Sequence, residues 1–386
     1  MSLSCLVIEN ARTGEGPLRR VVLGGDGRIL AEPRGNIRTV DAKGRLVVPT
    51  LAEPHVHLDR AFSLALTGWN RTGLLDEAVE RFVGSVDKMT VQALARGACR
   101  ALGLLAAAGV AHVRTHTAVG GALGFRAWEA VETAASSVPE VEVRQVAMPL
   151  TSNLHHPEVA SWVREAAARG AVAVGGAPWR AENPGAATRA AADLAAELGI
   201  GLDVHVDETD DPRMDTLPDL VAAVESTSLG GKAIATHCCS LAGRPEPVAR
   251  SEAEALAQAG IAVLVCPVSN LCLQGRQGGM RGIAPVRLLQ EATVTVGLGL
   301  DNLCDVVVAV GTADPLRAAW LLAIAGHLTG EEDLAWLGKV VVRENRRLCG
   351  LTDGLSPGDP AQVLLIDATS LSEAVALVPS RERLNG

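Results

Sequence analysis

The stretch ATRAAADLAAELGIGLDVHVDE, residues 187–208, contains one complete helix–strand unit. Its first half is rich in alanine and leucine at helical spacing, and Gly199 and Gly201 mark the place where such a helix ends. The second half, residues 201–207, is a short apolar run that ends in a histidine and a carboxylate. Buried parallel strands read as such runs, because helices cover both faces of their sheet. The stretch therefore predicts a helix followed by a strand of a parallel sheet.

The same unit recurs along the chain. Alanine- and leucine-rich stretches with helical spacing separate most of eight strand-like apolar runs, which lie at residues 53–58, 110–116, 142–149, 171–176, 201–207, 232–237, 261–267 and 294–301. Eight strand–helix units in roughly 290 residues predict an α/β fold, a (β/α)8 TIM barrel. Residues 60–90 interrupt the pattern, and LLDEAVERFVGSV within them predicts an extra helix near the barrel mouth.

The two ends of the chain differ from the middle. The first 50 residues contain short β-branched runs separated by glycine and aspartate, and GLSPGDPAQVLLID near the other end is a turn cluster followed by an apolar strand. Together the ends predict one small β-sandwich domain, formed by residues 1–50 and 346–386. The barrel is then expected to span residues 51–345.

Composition excludes several classes of protein. Apolar residues make up 48% of the 386 positions and charged residues 20%, which is typical of a globular chain with a large core. The net charge of −9 without basic clusters argues against nucleic-acid binding and against anionic membranes. No uninterrupted run of about 18 apolar residues and no signal peptide is visible, so we expect a cytoplasmic protein. The eight cysteines lack any C-x-x-C pair and predict reduced, mostly buried thiols.

Metal-ligand residues stand at the ends of three predicted strands, where barrel enzymes place their chemistry. His55 and His57 are two residues apart, so both point to one face of the first strand. Alone, this pair could equally be a surface or core feature. With His205 and Asp301 added, the set becomes three imidazoles and one carboxylate, which suits Zn(II) or Fe(II) with an open position for water. We predict one divalent metal ion per subunit.

A single ion is favoured over two. Some metal-dependent barrels bridge two ions with a carboxylated lysine at the end of strand four. Here that strand reads AVAVGGAP, and none of the four lysines falls at a predicted strand end.

Two further residues are candidates for proton transfer. Glu208 follows His205 by three residues and is expected to lean over a water held by the metal, as suits a proton shuttle; alternatively it satisfies a helix N-terminus. His237 ends the sixth strand and is expected to hold the attacking oxygen; alternatively it is a buried structural histidine. Asp301 is expected to take a proton from the water. His116 and Trp179 are expected to line the substrate pocket.

The motifs together resemble the cytosine deaminase family of the amidohydrolase superfamily. The blocks EPHVHLDRAF, GWNRTG, AHVRTHT, DVHVDETDD, ATHCCS, NLCLQGR, GLDN and GTADPL occur in the family's order and cover nearly the whole chain. The resemblance implies a metal-bearing barrel with a split β-sandwich, and hydrolytic removal of an amino group from an N-heterocycle. By position, it implies that His55, His57, His205 and Asp301 are metal ligands, that Glu208 is the acid–base residue, and that His237 lies beside the metal water.

The chain departs from the family in the substrate pocket. In the stretch VAMPL, Leu150 stands where cytosine deaminases have a glutamine that reads the pyrimidine edge, and leucine offers no hydrogen bond. Asn302 replaces the typical second aspartate, and Val307 lies in the segment where an aromatic lid is expected. The Asp-Asn pair is similar to N-isopropylammelide isopropylaminohydrolase, a triazine-processing relative. The catalytic half of the site is thus retained, while the half that would read cytosine is altered.

The sequence therefore predicts a metal-dependent hydrolytic deaminase that releases ammonia from a small amino-substituted N-heterocycle. One alternative is a cyclic amidase, or another hydrolase of a ring C–N bond, because the same metal and water would serve it. A second alternative is a catalytically inactive scaffold, although such proteins usually lose ligands. The resemblance also implies a homo-oligomer.

Overall fold

The computed structural model describes residues 4–14, 16–276, 278 and 280–385. Its strands are, in chain order, β1 (Ser4–Ala11), β2 (Arg19–Gly24), β3 (Ile29–Leu30), β4 (Asn36–Asp41), β5 (Leu46–Pro49), β6 (Leu51–Val56), β7 (Val110–Val119), β8 (Glu142–Pro149), β9 (Ala173–Val174), β10 (Gly201–Val206), β11 (Ala233–His237), β12 (Ile261–Val265), β13 (Val296–Leu298), β14 (Gln362–Ile366) and β15 (Arg381–Asn385).

The α-helices fill most of the connections between these strands. They are α1 (Leu64–Thr67), α2 (Leu75–Val83), α3 (Val91–Ala107), α4 (Arg126–Ser137), α5 (Pro157–Ala168), α6 (Pro184–Leu198), α7 (Leu217–Thr227), α8 (Glu246–Gln258), α9 (Pro267–Leu273), α10 (Val286–Glu291), α11 (Pro315–Ala325), α12 (Glu331–Lys339), α13 (Asn345–Leu348) and α14 (Leu371–Leu377). A π-helix, Val340–Glu344, joins α12 to α13.

The predicted (β/α)8 barrel is confirmed. Strands β6 to β13 form one parallel sheet in which each strand pairs with its neighbours along the chain. The ring closes where the chain beyond β13 meets β6: the Asp301 amide donates to the His55 carbonyl at 2.8 Å, and the His57 amide donates to the Asp301 carbonyl at 3.0 Å. Every residue of β6, β11 and β12 is buried, as expected of parallel strands covered on both faces. Closure thus brings the first and last strand ends together.

The two chain ends form the second part of the fold. Strands β1 to β4 make one sheet, and β5, β14 and β15 make another in which β5 pairs antiparallel with β14. The inner faces of both sheets share a small core of Leu6, Ile8, Leu23, Val47, Val363 and Leu365. This arrangement is the predicted β-sandwich. The C-terminal segment also contributes α14, which packs against the barrel helices α11 and α12. The exact domain boundaries stay a prediction.

The predicted extra helix is α2, and its segment lies at the barrel mouth. Two side chains from loops that follow other strands hold it there: Arg180 forms an ion pair with Asp76 at 2.8 Å, and Arg276 donates to the Thr72 carbonyl at 3.1 Å. Phe82 on the inner face of α2 is buried. Residues 60–90 therefore cover the C-terminal ends of the strands, where the candidate site lies.

Two sequence expectations concern burial and membranes. All eight cysteines are free, and five of them are buried: Cys5, Cys238, Cys239, Cys266 and Cys349. Within the described ranges, no helix has both the length and the apolar character that a bilayer crossing requires.

Gly97, in the middle of α3, is a sensitive point of this architecture. A Cβ atom there would lie 2.0 Å from the Ala61 carbonyl oxygen, in the loop that follows the first barrel strand. We expect Gly97→Ala to lower the free energy of unfolding by about 1–3 kcal/mol, because the helix or the loop must move. Gly103→Ala on the same helix is the control: nothing lies within 4 Å of its added Cβ, so stability should rise by roughly 0.4–1 kcal/mol. Urea unfolding measures both, and equal losses would contradict this prediction.

Candidate metal centre and catalytic site

Four of the predicted residues meet at the C-terminal mouth of the barrel. His55 and His57 come from the end of β6, His205 from β10, and Asp301 follows β13. One donor atom from each lies within 4.8 Å of the other three, and all four residues are buried. Asp301 Oδ1 is 3.2 Å from His57 Nε2 and 3.5 Å from His55 Nε2, and the Nε2 atoms of His57 and His205 are 3.3 Å apart. The chain thus gathers three imidazoles and a carboxylate.

This donor set fits a metal ion. Ligands that bind Zn(II) at about 2.0–2.1 Å in a tetrahedron lie roughly 3.3 Å from one another, which agrees with the three distances above. His55 Nε2 is buried and has no hydrogen-bond partner among the described residues. Buried polar atoms normally have partners, so an unpartnered ring nitrogen within a ligand set points to an ion as its partner.

The electrostatic environment prepares these groups for ligation. Burial lowers the pKa of His57 and lowers that of His205 well below its usual value, so both rings are neutral near pH 7. Burial alone would raise the pKa of Asp301, but the neighbouring His55 and His57 imidazoles outweigh it and hold that pKa well below its usual range. Neutral imidazole and ionised carboxylate are the forms that bind metals.

Hydrogen bonds behind the ligands orient two of the rings. His205 Nδ1 lies 3.2 Å from the Gly176 carbonyl oxygen, which can only accept, so Nδ1 carries the proton and the Nε2 lone pair faces the other ligands. His55 Nδ1 lies 3.4 Å from Thr236 Oγ1, and the same hydroxyl is 3.4 Å from Asp203 Oδ1. Partners inside the barrel, rather than at its mouth, therefore set the orientation of both rings.

Glu208 and His237 lie side by side next to this centre. Glu208 Oε2 is 3.7 Å from His237 Nε2, and both residues are buried. Burial, with the charge of Asp301, raises the pKa of Glu208 well above its usual value, which favours the protonated form of this carboxyl. Burial lowers the pKa of His237 to about 4, so its ring is neutral. The alternative in which Glu208 satisfies a helix N-terminus is wrong, because the next helix, α7, begins only at Leu217.

The strand ends turn sharply at these residues. Asp207, His237 and Asp301 have φ angles of 45°, 79° and 58°. Residues other than glycine rarely adopt such left-handed conformations, and they occur mainly where the surrounding structure enforces them, as at active sites. The backbone at these three strand ends is therefore strained, as is common at functional sites.

Sequence reasoning missed residues in α9 and directly after it that support the centre. Ser269 Oγ donates a short hydrogen bond to Asp301 Oδ2, Asn270 Nδ2 donates to His237 Nδ1 at 2.9 Å, and Gln274 Nε2 donates to the Glu208 carbonyl at 2.8 Å. The stretch NLCLQGR was recognised only as a block that resembles the family, with no role for its residues. The available signal was position: polar residues in the first turn of a helix directly after the seventh barrel strand.

His116 lies deeper than a residue of the substrate pocket would. Its Nε2 is 3.3 Å from Asp203 Oδ1, and Arg114 Nε is 3.1 Å from Asp203 Oδ2. Asp203 precedes His205 by two residues on β10, so it faces the same interior one step further from the mouth. The His116 ring centroid is 4.2 Å from that of His55. The structure thus places His116 behind the four candidate ligands. This position does not support the predicted contact of His116 with substrate, which stays a prediction.

The other predicted pocket residues occupy two environments. Leu150 and Val307 are partly buried and pack in one apolar cluster beneath α2. Asn302 is buried and donates to Asp305 Oδ2 at 2.7 Å. Trp179 is buried, and its Nε1 has no hydrogen-bond partner in the described part of the chain. Their roles in substrate binding stay predictions.

Comparison with known proteins gives the family. The family model described as "Amidohydrolase family" matches residues 66–383. Among curated proteins, the chain is similar to a pterin deaminase of Rhizobium rhizogenes, with 35% identity over 185 residues, 46% of this chain and 42% of that protein. The chain thus aligns with less than half the length of that relative.

Solved structures extend the likeness to nearly the whole chain. The 5-methylcytosine deaminase from Klebsiella pneumoniae, liganded with 5-fluorocytosine, has a TM-score of 0.90 and 27% identity, covering 98% of this chain and 97% of that one. N-isopropylammelide isopropylaminohydrolase from Burkholderia multivorans has a TM-score of 0.83 and 25% identity, covering 99% and 97%.

Proposed function

The chain belongs to the amidohydrolase family, and on that premise we propose that it is a metal-dependent deaminase that releases ammonia from an amino-substituted N-heterocycle. One observation carries the proposal: four buried candidate metal ligands lie directly beside the buried pair Glu208 and His237, whose carboxyl and imidazole are 3.7 Å apart. The relatives are named for pterin, 5-methylcytosine and N-isopropylammelide, which are all nitrogen heterocycles that carry an exocyclic nitrogen.

We propose that His55, His57, His205 and Asp301 hold one divalent ion, Zn or Fe. Imidazole and carboxylate donors suit both metals, and metal supply often decides between them. When bound, such an ion acts as a Lewis acid and lowers the pKa of a water from 15.7 toward roughly 7.

The acid–base steps fall to three side chains of this chain. Glu208 in its protonated form, which its raised pKa favours, gives its proton to the ring nitrogen next to the carbon that carries the amino group, and that carbon becomes electrophilic. Asp301, which Ser269 holds by a hydrogen bond, takes a proton from the attacking water. His237 donates a hydrogen bond to the oxygen as it adds. Asp301 then passes the water proton to the amino group and ammonia leaves. The hydroxyl that has added to the ring carbon returns its own proton to Glu208 as the ring carbonyl forms.

We propose that substrate recognition differs from that of cytosine deaminases. Leu150 and Val307 present an apolar wall where a ring amide would need a hydrogen-bonding partner. A site built to hydrogen-bond one edge of a substrate discriminates by about 10⁴-fold or more against molecules that lack that edge. Leucine in place of a hydrogen-bonding residue at position 150 should therefore change the class of substrate. Asn302 and Trp179 are the polar groups that we expect nearest the ring.

An ammonia-release screen on metal-analysed protein tests the proposed function. The panel contains cytosine, 5-substituted cytosines, isocytosine, isoguanine, creatinine, ammelide-type triazines and pterins. We expect release from at least one heterocycle, because all acid–base groups are in place, and a preference for compounds other than cytosine, because Leu150 cannot read its edge. Protein boiled before the assay is the control for chemical deamination. Silence across the panel with one metal bound would contradict the proposal and favour the ring-cleaving hydrolase.

A further inference from the structure

His237 has a fixed hydrogen-bond partner behind its ring. Asn270, fully buried on α9, places its amide nitrogen 2.9 Å from His237 Nδ1. An amide nitrogen can only donate, so Nδ1 must accept, and a neutral ring then carries its single proton on Nε2. Nε2 is buried, faces Glu208 at 3.7 Å, and has no hydrogen-bond partner in the described ranges. The ring is thus presented to the site as a donor.

The His237 ring also belongs to a second group with the geometry of a metal site. His237, Cys266 and Asp301 each offer one ligand atom within 4.8 Å of the other two, and all three are buried. Nitrogen, sulfur and oxygen donors of this kind suit Zn(II) or Co(II). The group shares Asp301 with the first ligand set, so a second ion there would be a close neighbour of the first.

Histidine binds a metal only through a ring nitrogen that carries no proton. While Asn270 donates to Nδ1, that nitrogen is occupied and the proton stays on Nε2, the other ring nitrogen. The hydrogen bond that makes His237 a donor therefore also prevents it from being a ligand.

We propose that Asn270 is a positioning residue that holds His237 as an Nε2–H donor and thereby keeps a second cation out of the His237–Cys266–Asp301 group. The role of the Nε2–H donor in deamination rests on the proposed function, but the exclusion of a second cation does not. Exchange of the donor for an acceptor reverses the arrangement. In Asn270→Asp the carboxylate accepts from Nδ1–H, Nε2 is left with its lone pair, and the result is the carboxylate–histidine–metal pattern common in metal proteins. Ligation then requires that the Cys266 thiol lose its proton to solvent.

Metal stoichiometry tests this inference without any activity assay. The native protein, Asn270→Asp and the double variant Asn270→Asp/Cys266→Ala are loaded with excess Co(II), separated from free metal by gel filtration, and analysed for metal and protein. We expect one ion per chain in the native protein, two in Asn270→Asp, and one in the double variant. A cobalt–thiolate absorption band in the near ultraviolet should appear only in Asn270→Asp and disappear with Cys266. Two ions in the native protein, or one ion in a folded Asn270→Asp, would overturn the inference.

A measurement on the native protein keeps the inference testable if Asn270→Asp does not fold. Long-range nitrogen–proton NMR of protein with ¹⁵N-labelled histidine reports which ring nitrogen carries the proton. We expect the His237 signal, assigned by its loss in His237→Gln, to show a protonated Nε2 and a bare Nδ1; the opposite tautomer would refute the assignment. If these results hold while no heterocycle releases ammonia, the proposed function is wrong and the role of Asn270 stands.

Discussion

Glu208→Gln is expected to lower kcat for ammonia release by about 10²–10⁴-fold, the usual contribution of a positioned acid–base group. Glutamine keeps the shape of the side chain, but it cannot give up or take up the proton that the ring nitrogen and the leaving amino group require. Glu208 is not among the four ligands, so metal content should stay at the native value. Steady-state kinetics on the best substrate of the panel, with metal analysis of the same samples, measures both quantities.

Glu208→Asp is the matched variant for this experiment. It keeps the carboxylic acid and shortens the side chain by one methylene, so its activity should lie between that of the native protein and that of the glutamine variant. This order separates the acid chemistry from the packing of the side chain. Native activity in Glu208→Gln would remove Glu208 from the mechanism, and loss of metal from that variant would assign it a structural role instead.

The barrel, and the meeting of four candidate ligands at its mouth, could be predicted because each rests on a local pattern. Buried parallel strands are continuous apolar runs, and eight of them are visible in the sequence. Alternation along a strand places His55 and His57 on one face, and the strand-end rule brings His205 and Asp301 to the same mouth. The family resemblance agrees with this assignment, but the strand pattern alone already selects these residues.

Other features depend on three-dimensional relations that no local pattern contains. Alternation predicts that His116 faces the barrel interior, but not that it lies behind the ligands against Asp203, because depth depends on the stagger of neighbouring strands. The contact of Asn270 with His237 joins helix α9 to the end of β11, and the two residues are 33 positions apart in the sequence. Strand four was expected at residues 171–176, yet only Ala173–Val174 pairs as a strand. Just beyond this short strand the Gly176 carbonyl accepts from the His205 amide at 2.8 Å and lies 3.2 Å from the His205 ring nitrogen Nδ1.

His205→Ala is expected to lose the metal and, with it, all measurable ammonia release. The variant removes one of four donors and leaves three, and the remaining groups are buried side chains whose separations suit an ion rather than one another. Without the ion nothing in the site generates an attacking oxygen near neutral pH, since the pKa of free water is 15.7. Metal analysis after gel filtration and the ammonia assay are the measurements. Addition of excess metal should restore little activity, because the missing donor is part of the chain.

His116→Asn is the matched control, since it tests whether every buried histidine near the centre is equally necessary for metal binding and activity. The His116 ring centroid lies only 5.0 Å from that of His205, yet His116 is outside the four-residue ligand set and contacts Asp203 instead. Asparagine can still donate to that carboxylate, so the variant should keep its metal and stay within about tenfold of native activity, as outer partners of metal sites typically contribute 10–100-fold when removed altogether. Full metal content in His205→Ala, or a metal-free His116→Asn, would show that the ion is held by a different set of side chains. The contrast between the two variants thus locates the ion at the mouth or in the deeper layer of the barrel.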